Sequence, residues 1–168
     1  MPHRFFLQAA DKIQERFLAE VSLTPAAALN DFNLAPLPAR RDISMMGLIY
    51  RISFGLAPPQ FSEFIYPPKP GEQGRGWAFN FQRHGKQLHD PIDGTSARII
   101  ERSVLGLIYC WNALPSQVVE CKTLKGFQRA LQRGVKACAR SGCPQWPTLL
   151  REGARAKGIH DFRKWFRD

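Results

Sequence analysis

Apolar residues in this chain recur with helical spacing almost from end to end. The densest such stretch is 39–56. Ile43, Met46, Tyr50 and Phe54 mark one stripe there, and Met45, Leu48, Ile49, Ile52 and Leu56 mark a second. A helix apolar on two stripes leaves little surface for water, so the pattern predicts a central helix at about 40–56 covered on both sides. Pro36 and Pro38 punctuate its start, and Gly55 and Pro58 its end. Arg40 and Arg41 fall near its N-terminus, where the helix dipole disfavours cations, so they require a partner: Asp42, Asp31 or an external phosphate.

Around this centre the pattern predicts further helices. Over 4–21, Phe6, Ala10, Ile13, Phe17 and Val21 line one face among charged residues. Thr24-Pro25 pairs a capping hydroxyl with proline at a first helical position, opening a short helix through Leu29. From Ser96 an apolar helix runs through Ile99, Ile100, Val104, Leu105, Leu107, Ile108 and Trp111. Asn112 is its expected left-handed end, before extended Leu114-Pro115. Ser116 and Thr123 are both candidate caps. The helix after Thr123 buries Leu124, Phe127, Leu131, Val135 and Cys138, and Ser141-Gly142 ends it.

Residues 57–98 break the pattern. Pro58-Pro59 opens one turn of helix at 60–65, and a Pro/Gly-rich stretch follows. Trp77–Phe81 alternates as a strand that His84-Gly85 could turn back. The expectation is a mainly α chain: a small helical bundle over 1–140, an irregular arm (57–98) outside it, and a basic, aromatic-containing tail over 141–168.

At 168 residues and 44% hydrophobic content the chain suits a single globular domain, and no apolar run approaches the length of a bilayer span. Cys110, Cys121, Cys138 and Cys143 have no paired spacing, which fits reduced thiols in an intracellular protein. The net charge of +10 is lopsided. Residues 122–168 hold 12 Lys/Arg against three acids, while the first 121 residues carry only +1. Such asymmetry points to a polyanion, nucleic acid before membrane, and with it a nuclear setting.

The sharpest candidate site is the run Lys125, Arg129, Arg133, Lys136 and Arg140. Its spacing aligns five cations on one helix side to track a phosphate backbone, with Arg40, Arg41 and the tail in support. The competing reading is a solvated helix face. The ending Phe162–Arg167 could stack on bases or pack onto the body. His84, His89 and Asp90, and Cys138, Cys143, His160 and Asp161, lack zinc-site spacing. Phosphate loops, dinucleotide turns and the adjacent acidic pair of two-metal polymerases are absent from the sequence, which leaves no cofactor or catalytic assignment.

Four segments in order also resemble a known family: Gln14–Leu18, Leu34–Asp42, Trp111–Pro115, and Leu124–Gln128 with Leu131. Together they are similar to the C-terminal region of reverse transcriptases of non-LTR (LINE-type) retrotransposons, downstream of the polymerase palm. The palm with its paired aspartates, the endonuclease and a complete Cys/His knuckle are missing. The resemblance therefore implies a non-catalytic segment that contacts template RNA or target DNA, present as a separate or truncated chain, with the rest of a reverse transcriptase as a possible partner. The runner-up is a helical protein-interaction module, or a degenerate open reading frame without activity; a Cys/His hydrolase is a distant third.

Overall fold

A computed structural model describes residues 3–69, 84–91, 103–153 and 162–166. Among the described residues six α-helices follow in order: α1 (His3–Glu20), α2 (Pro25–Phe32), α3 (Leu37–Ser53), α4 (Ile108–Ala113), α5 (Ser116–Val119) and α6 (Leu124–Arg140). Short 3₁₀ turns lie at Pro59–Glu63, Leu105–Leu107, Trp146–Thr148 and Lys164–Phe166, and a π turn at Leu149–Gly153. Among the described residues there is no strand. The chain is mainly α, as its periodicity predicts.

The centre is α3 packed against α6. Ala39, Asp42, Met46, Gly47, Ile49 and Tyr50 are buried along α3, and Ile43, Met45 and Ile52 pack half-buried against the same core. Only Arg40, Ser44 and Arg51 of α3 are exposed, so the helix is covered on both sides. Two boundaries differ from expectation. The helix begins at Leu37, with Pro38 in its first turn, which places Arg40 and Arg41 in the second turn, away from the strongest dipole field. It ends at Ser53, and left-handed Gly55 (φ 68°) turns Leu56 out to 58% exposure, removing it from the second stripe.

Four helix ends use one device. Ser22, Asn33, Gly55 and Gly142 all have φ between 54° and 73°, following α1, α2, α3 and α6. At three of them the backbone closes paired hydrogen bonds. Ser22 and Leu23 donate to Ala19 and Leu18, Gly55 and Leu56 to Ile52 and Arg51, and Gly142 and Cys143 to Ala139 and Cys138. These bonds satisfy carbonyls that the helix leaves open.

Elsewhere the sequence misleads. On α1 the expected apolar face is not the buried one: Leu18 is 4% exposed, but Ile13 is 68%, Phe17 50% and Val21 45%. The helix is anchored by Gln14, whose side-chain N–H donates to the Ala35 carbonyl at 3.1 Å and whose oxygen accepts from Leu37 N–H at 2.9 Å. Residues 96–102 lie outside the described residues, as does Trp77–Phe81. Residues 103–107 form a bend and a 3₁₀ turn, and α4 starts only at Ile108. Asn112 is not left-handed: its side chain accepts from Leu88 N–H at 2.9 Å and donates to Leu88 O at 2.7 Å. Ser116 is the first residue of α5 and gives no side-chain cap, whereas Thr24 and Thr123 do.

The arm is also more deeply involved than an outside loop. Ile65, His84 and Leu88 are buried, and the Trp111 indole N–H donates to the Lys86 carbonyl at 2.7 Å. A line of aromatic contacts runs inward from there. His84 meets Trp111 edge-on at 5.7 Å, Trp111 meets Phe127 at 5.6 Å, and Tyr50 stacks on Phe127 at 5.0 Å and on Phe54 at 4.6 Å. The Tyr50 hydroxyl is satisfied at the Cys121 carbonyl, 2.6 Å away.

Candidate nucleic-acid interface

The candidate interface is one face of α6, and its other faces fix which way it looks. Thr123 starts the helix, its hydroxyl accepting from Gly126 N–H at 3.0 Å. Phe127, Ala130, Leu131, Gly134, Val135, Cys138 and Ala139 then recur at helical spacing and are buried. Gln132 donates to the Asn33 side chain at 2.9 Å, tying α6 to the end of α2. The Phe166 ring lies directly on Gly134, so close that it leaves no room for a Cβ there.

With those directions occupied, the basic residues face outward. Lys125, Arg129, Arg133 and Arg140 are exposed and Lys136 is half-buried. At 100° per residue the five fall within an arc of about 80°, spread over about 22 Å of helix axis. α6 contains no acidic residue, and among the described residues none of the five is ion-paired to one. Lys122, just before the helix, is exposed as well. Lys136 and Arg140 sit near the C-terminus, where the dipole favours cations. Lys125 sits in the first turn, where it does not, so a bound anion would relieve that position.

The other predicted site residues are placed differently. Arg40 is exposed on α3. Arg41 is engaged by Asp11, a partner not among those expected, its two terminal nitrogens lying 3.0 and 3.1 Å from the two carboxylate oxygens. Asp42 instead meets Arg151 from the segment after α6, with Nε and Nη2 at 3.1 and 2.8 Å from one carboxylate oxygen. Burial pushes the Asp42 carboxyl up, and the Arg151 hydrogen bond and charge pull it back. The periodicity carried a signal for this buried acid, since Asp42 falls in register with Ala39, Met46 and Ile49.

Much of the tail's charge and aromatic content is structural. Trp146, Leu149, Leu150, Phe162 and Phe166 belong to the main core, so the described part of the ending packs rather than offering rings to bases. Arg163 donates from Nε to the Ala113 carbonyl at 2.8 Å, and the Lys164 ammonium lies over the Trp165 ring at 4.4 Å.

Cys110 and Cys138 are buried, and burial pushes the Cys110 thiol up, away from the reactive thiolate. His89 stacks on Tyr66 at 5.0 Å. Among the described residues no three His, Cys, Asp or Glu side chains are grouped to hold a metal ion, and no helix is long and apolar enough to cross a membrane. His160 and Asp161 lie outside the described residues. No family model, curated protein or solved structure matches this chain.

Proposed function

We propose that this chain is a non-catalytic nucleic-acid-contacting segment, which grips the phosphate backbone through Lys125, Arg129, Arg133, Lys136 and Arg140. The observation that supports this reading is an outward helix face with five cations and no acid. A solvated face normally intersperses both signs, because i, i+4 pairs of opposite charge stabilise it. Arg40 adds a further exposed cation, whereas Arg41 brings one already neutralised by Asp11. The resemblance to the C-terminal region of LINE-type reverse transcriptases agrees in kind, and would place the chain with a retroelement product in the nucleus, contacting RNA or DNA without polymerising or cutting it. The half-exposed apolar stripe of α1 favours the second reading, a helical interaction module.

Salt dependence separates the two. Each phosphate contact lowers the logarithm of affinity by roughly 0.7–0.9 per logarithm of salt. Replacing Arg129 and Arg133 with Gln removes two contacts, so the slope should flatten by about 1.5 for single-stranded RNA or duplex DNA, all sequences weakening alike. Stability should stay within about 0.5 kcal/mol of the parent, as both side chains are exposed. An unchanged slope, or no salt-sensitive binding by the parent, would refute the proposal.

A further inference from the structure

One flank of α1, beside the side that Gln14 and Leu18 turn to the body, is apolar and half-exposed, and its surroundings say what can cover it. Ile13, Phe17 and Val21 are 68%, 50% and 45% exposed and follow one another at four-residue intervals, within an arc of about 80°. A monomer gains nothing by showing such a stripe, since burying these side chains against a partner removes apolar surface from water. Charge narrows the choice of partner. Of the net +10, residues 122–168 carry +9, so a second copy approaching that basic end meets repulsion. Helix α1 lies in the near-neutral remainder, and its Arg4, Lys12 and Arg16 are matched in number by Asp11, Glu15 and Glu20.

The arrangement along the stripe is self-complementary. Arg16 and Glu20 are both exposed and lie one turn apart along one edge of it, straddling the level of Phe17. In an antiparallel pair of identical helices the same edges meet. With Phe17 opposite Phe17, Ile13 of one copy then lies beside Val21 of the other, and Arg16 of each faces Glu20 of its mate. An acidic or basic foreign helix would satisfy one of these edge charges and oppose the other.

We infer that two copies of this chain pair through α1, antiparallel about Phe17, with the apolar stripe buried and two reciprocal Arg16–Glu20 contacts at its rim. Such a contact is closed and two-fold, so it stops at the dimer. One helix pair is a small interface, and the association should be weak, in the micromolar range. It leaves α6 untouched and is independent of what α6 binds.

The test is sedimentation equilibrium of the full chain from micromolar to millimolar concentration. The parent should fit a monomer–dimer equilibrium, and Phe17→Glu should weaken it about thirtyfold or more while leaving the helical circular dichroism unchanged. Arg16→Glu alone and Glu20→Arg alone should each lose the dimer, because like charges then face one another across it. Mixed together, these two variants should form a heterodimer. A parent that stays monomeric at millimolar concentration overturns the inference and leaves the stripe to a different partner. A dimer indifferent to Phe17→Glu, or a mixture that does not associate, overturns it equally.

Discussion

His84 shows how a single side chain can fix its own charge state. It is 2% exposed, its Nε2–H donates to the Trp111 carbonyl at 3.0 Å, and its Nδ1 accepts from Lys86 N–H at 3.2 Å. Only the neutral ring satisfies both contacts, because a proton on Nδ1 would point at an N–H. Burial lowers its pKa from the ordinary 6.5; the Arg163 charge adds to that, while the Trp111 hydrogen bond and Glu120 oppose it. The sign follows from proton counting. Between the depressed folded value and 6.5 the unfolded chain binds more protons, so stability rises with pH there. The contribution is complete above 6.5 and is lost as pH falls through the folded value. Urea midpoints of parent and His84→Gln, compared from about pH 5 to about pH 8, should diverge as pH rises, with the parent showing the steeper slope. Parallel curves would mean that His84 titrates alike in both states.

At the scale of the element, helix ends decide more than helix interiors. α1 closes on Ser22 at φ 54°, a backbone conformation that costs a non-glycine residue about 1–2 kcal/mol. Glycine would escape that cost but lose about 0.5–1 kcal/mol in chain entropy. The strain term wins by a small margin, so Ser22→Gly should stabilise the chain by roughly 0.5 kcal/mol, read as a higher urea midpoint at constant m. A lower midpoint would show that the serine side chain does something there that φ does not reveal. The same elements show what the sequence could and could not tell. The stops at Gly55 and Gly142 and the caps at Thr24 and Thr123 were legible, because each is a local rule written in adjacent residues. So was the outward basic face of α6, since seven buried positions on that helix leave its cations one direction to point. The apolar face of α1 was legible, but whether it is covered was not. Periodicity names a face without saying whether a partner exists, and the contacts that orient α1 are polar ones made by Gln14 and Asp11. Asn112 misled similarly: a residue that often ends helices was committed to Leu88, 24 positions away. The pairing of Asp42 with Arg151 across 109 positions is of that kind too.

For the molecule as a whole, the question is whether the segment after α6 is an appendage or a wall of the core. Composition favours an appendage, since residues 141–168 hold six Lys/Arg against three acids. Packing favours a wall. Trp146, Leu149, Leu150, Phe162 and Phe166 are all buried in the main core, Phe166 covers Gly134, and Arg151 reaches back to Asp42 on the central helix. Magnitudes decide between the two. Burying a large apolar side chain is worth about 1.5–3 kcal/mol, so the five together contribute roughly 8–15 kcal/mol before ordering costs, as much as the entire net stability of an ordinary domain. Removing Arg151 also leaves Asp42 buried without its main counter-charge, a loss of roughly 3 kcal/mol or more. A chain stopped after Gly142 should therefore keep much of its far-ultraviolet helical signal but lose its near-ultraviolet tryptophan signal and its cooperative urea transition. Because Trp146 and Trp165 go with the deleted segment and Trp77 stays, the near-ultraviolet comparison is best made with Trp77→Phe, Trp146→Phe and Trp165→Phe in the parent and Trp77→Phe in the shortened chain, which leaves Trp111, whose indole is fixed at Lys86, to report. If the shortened chain unfolds cooperatively at the parent's midpoint, the tail is an appendage and not a wall of the core.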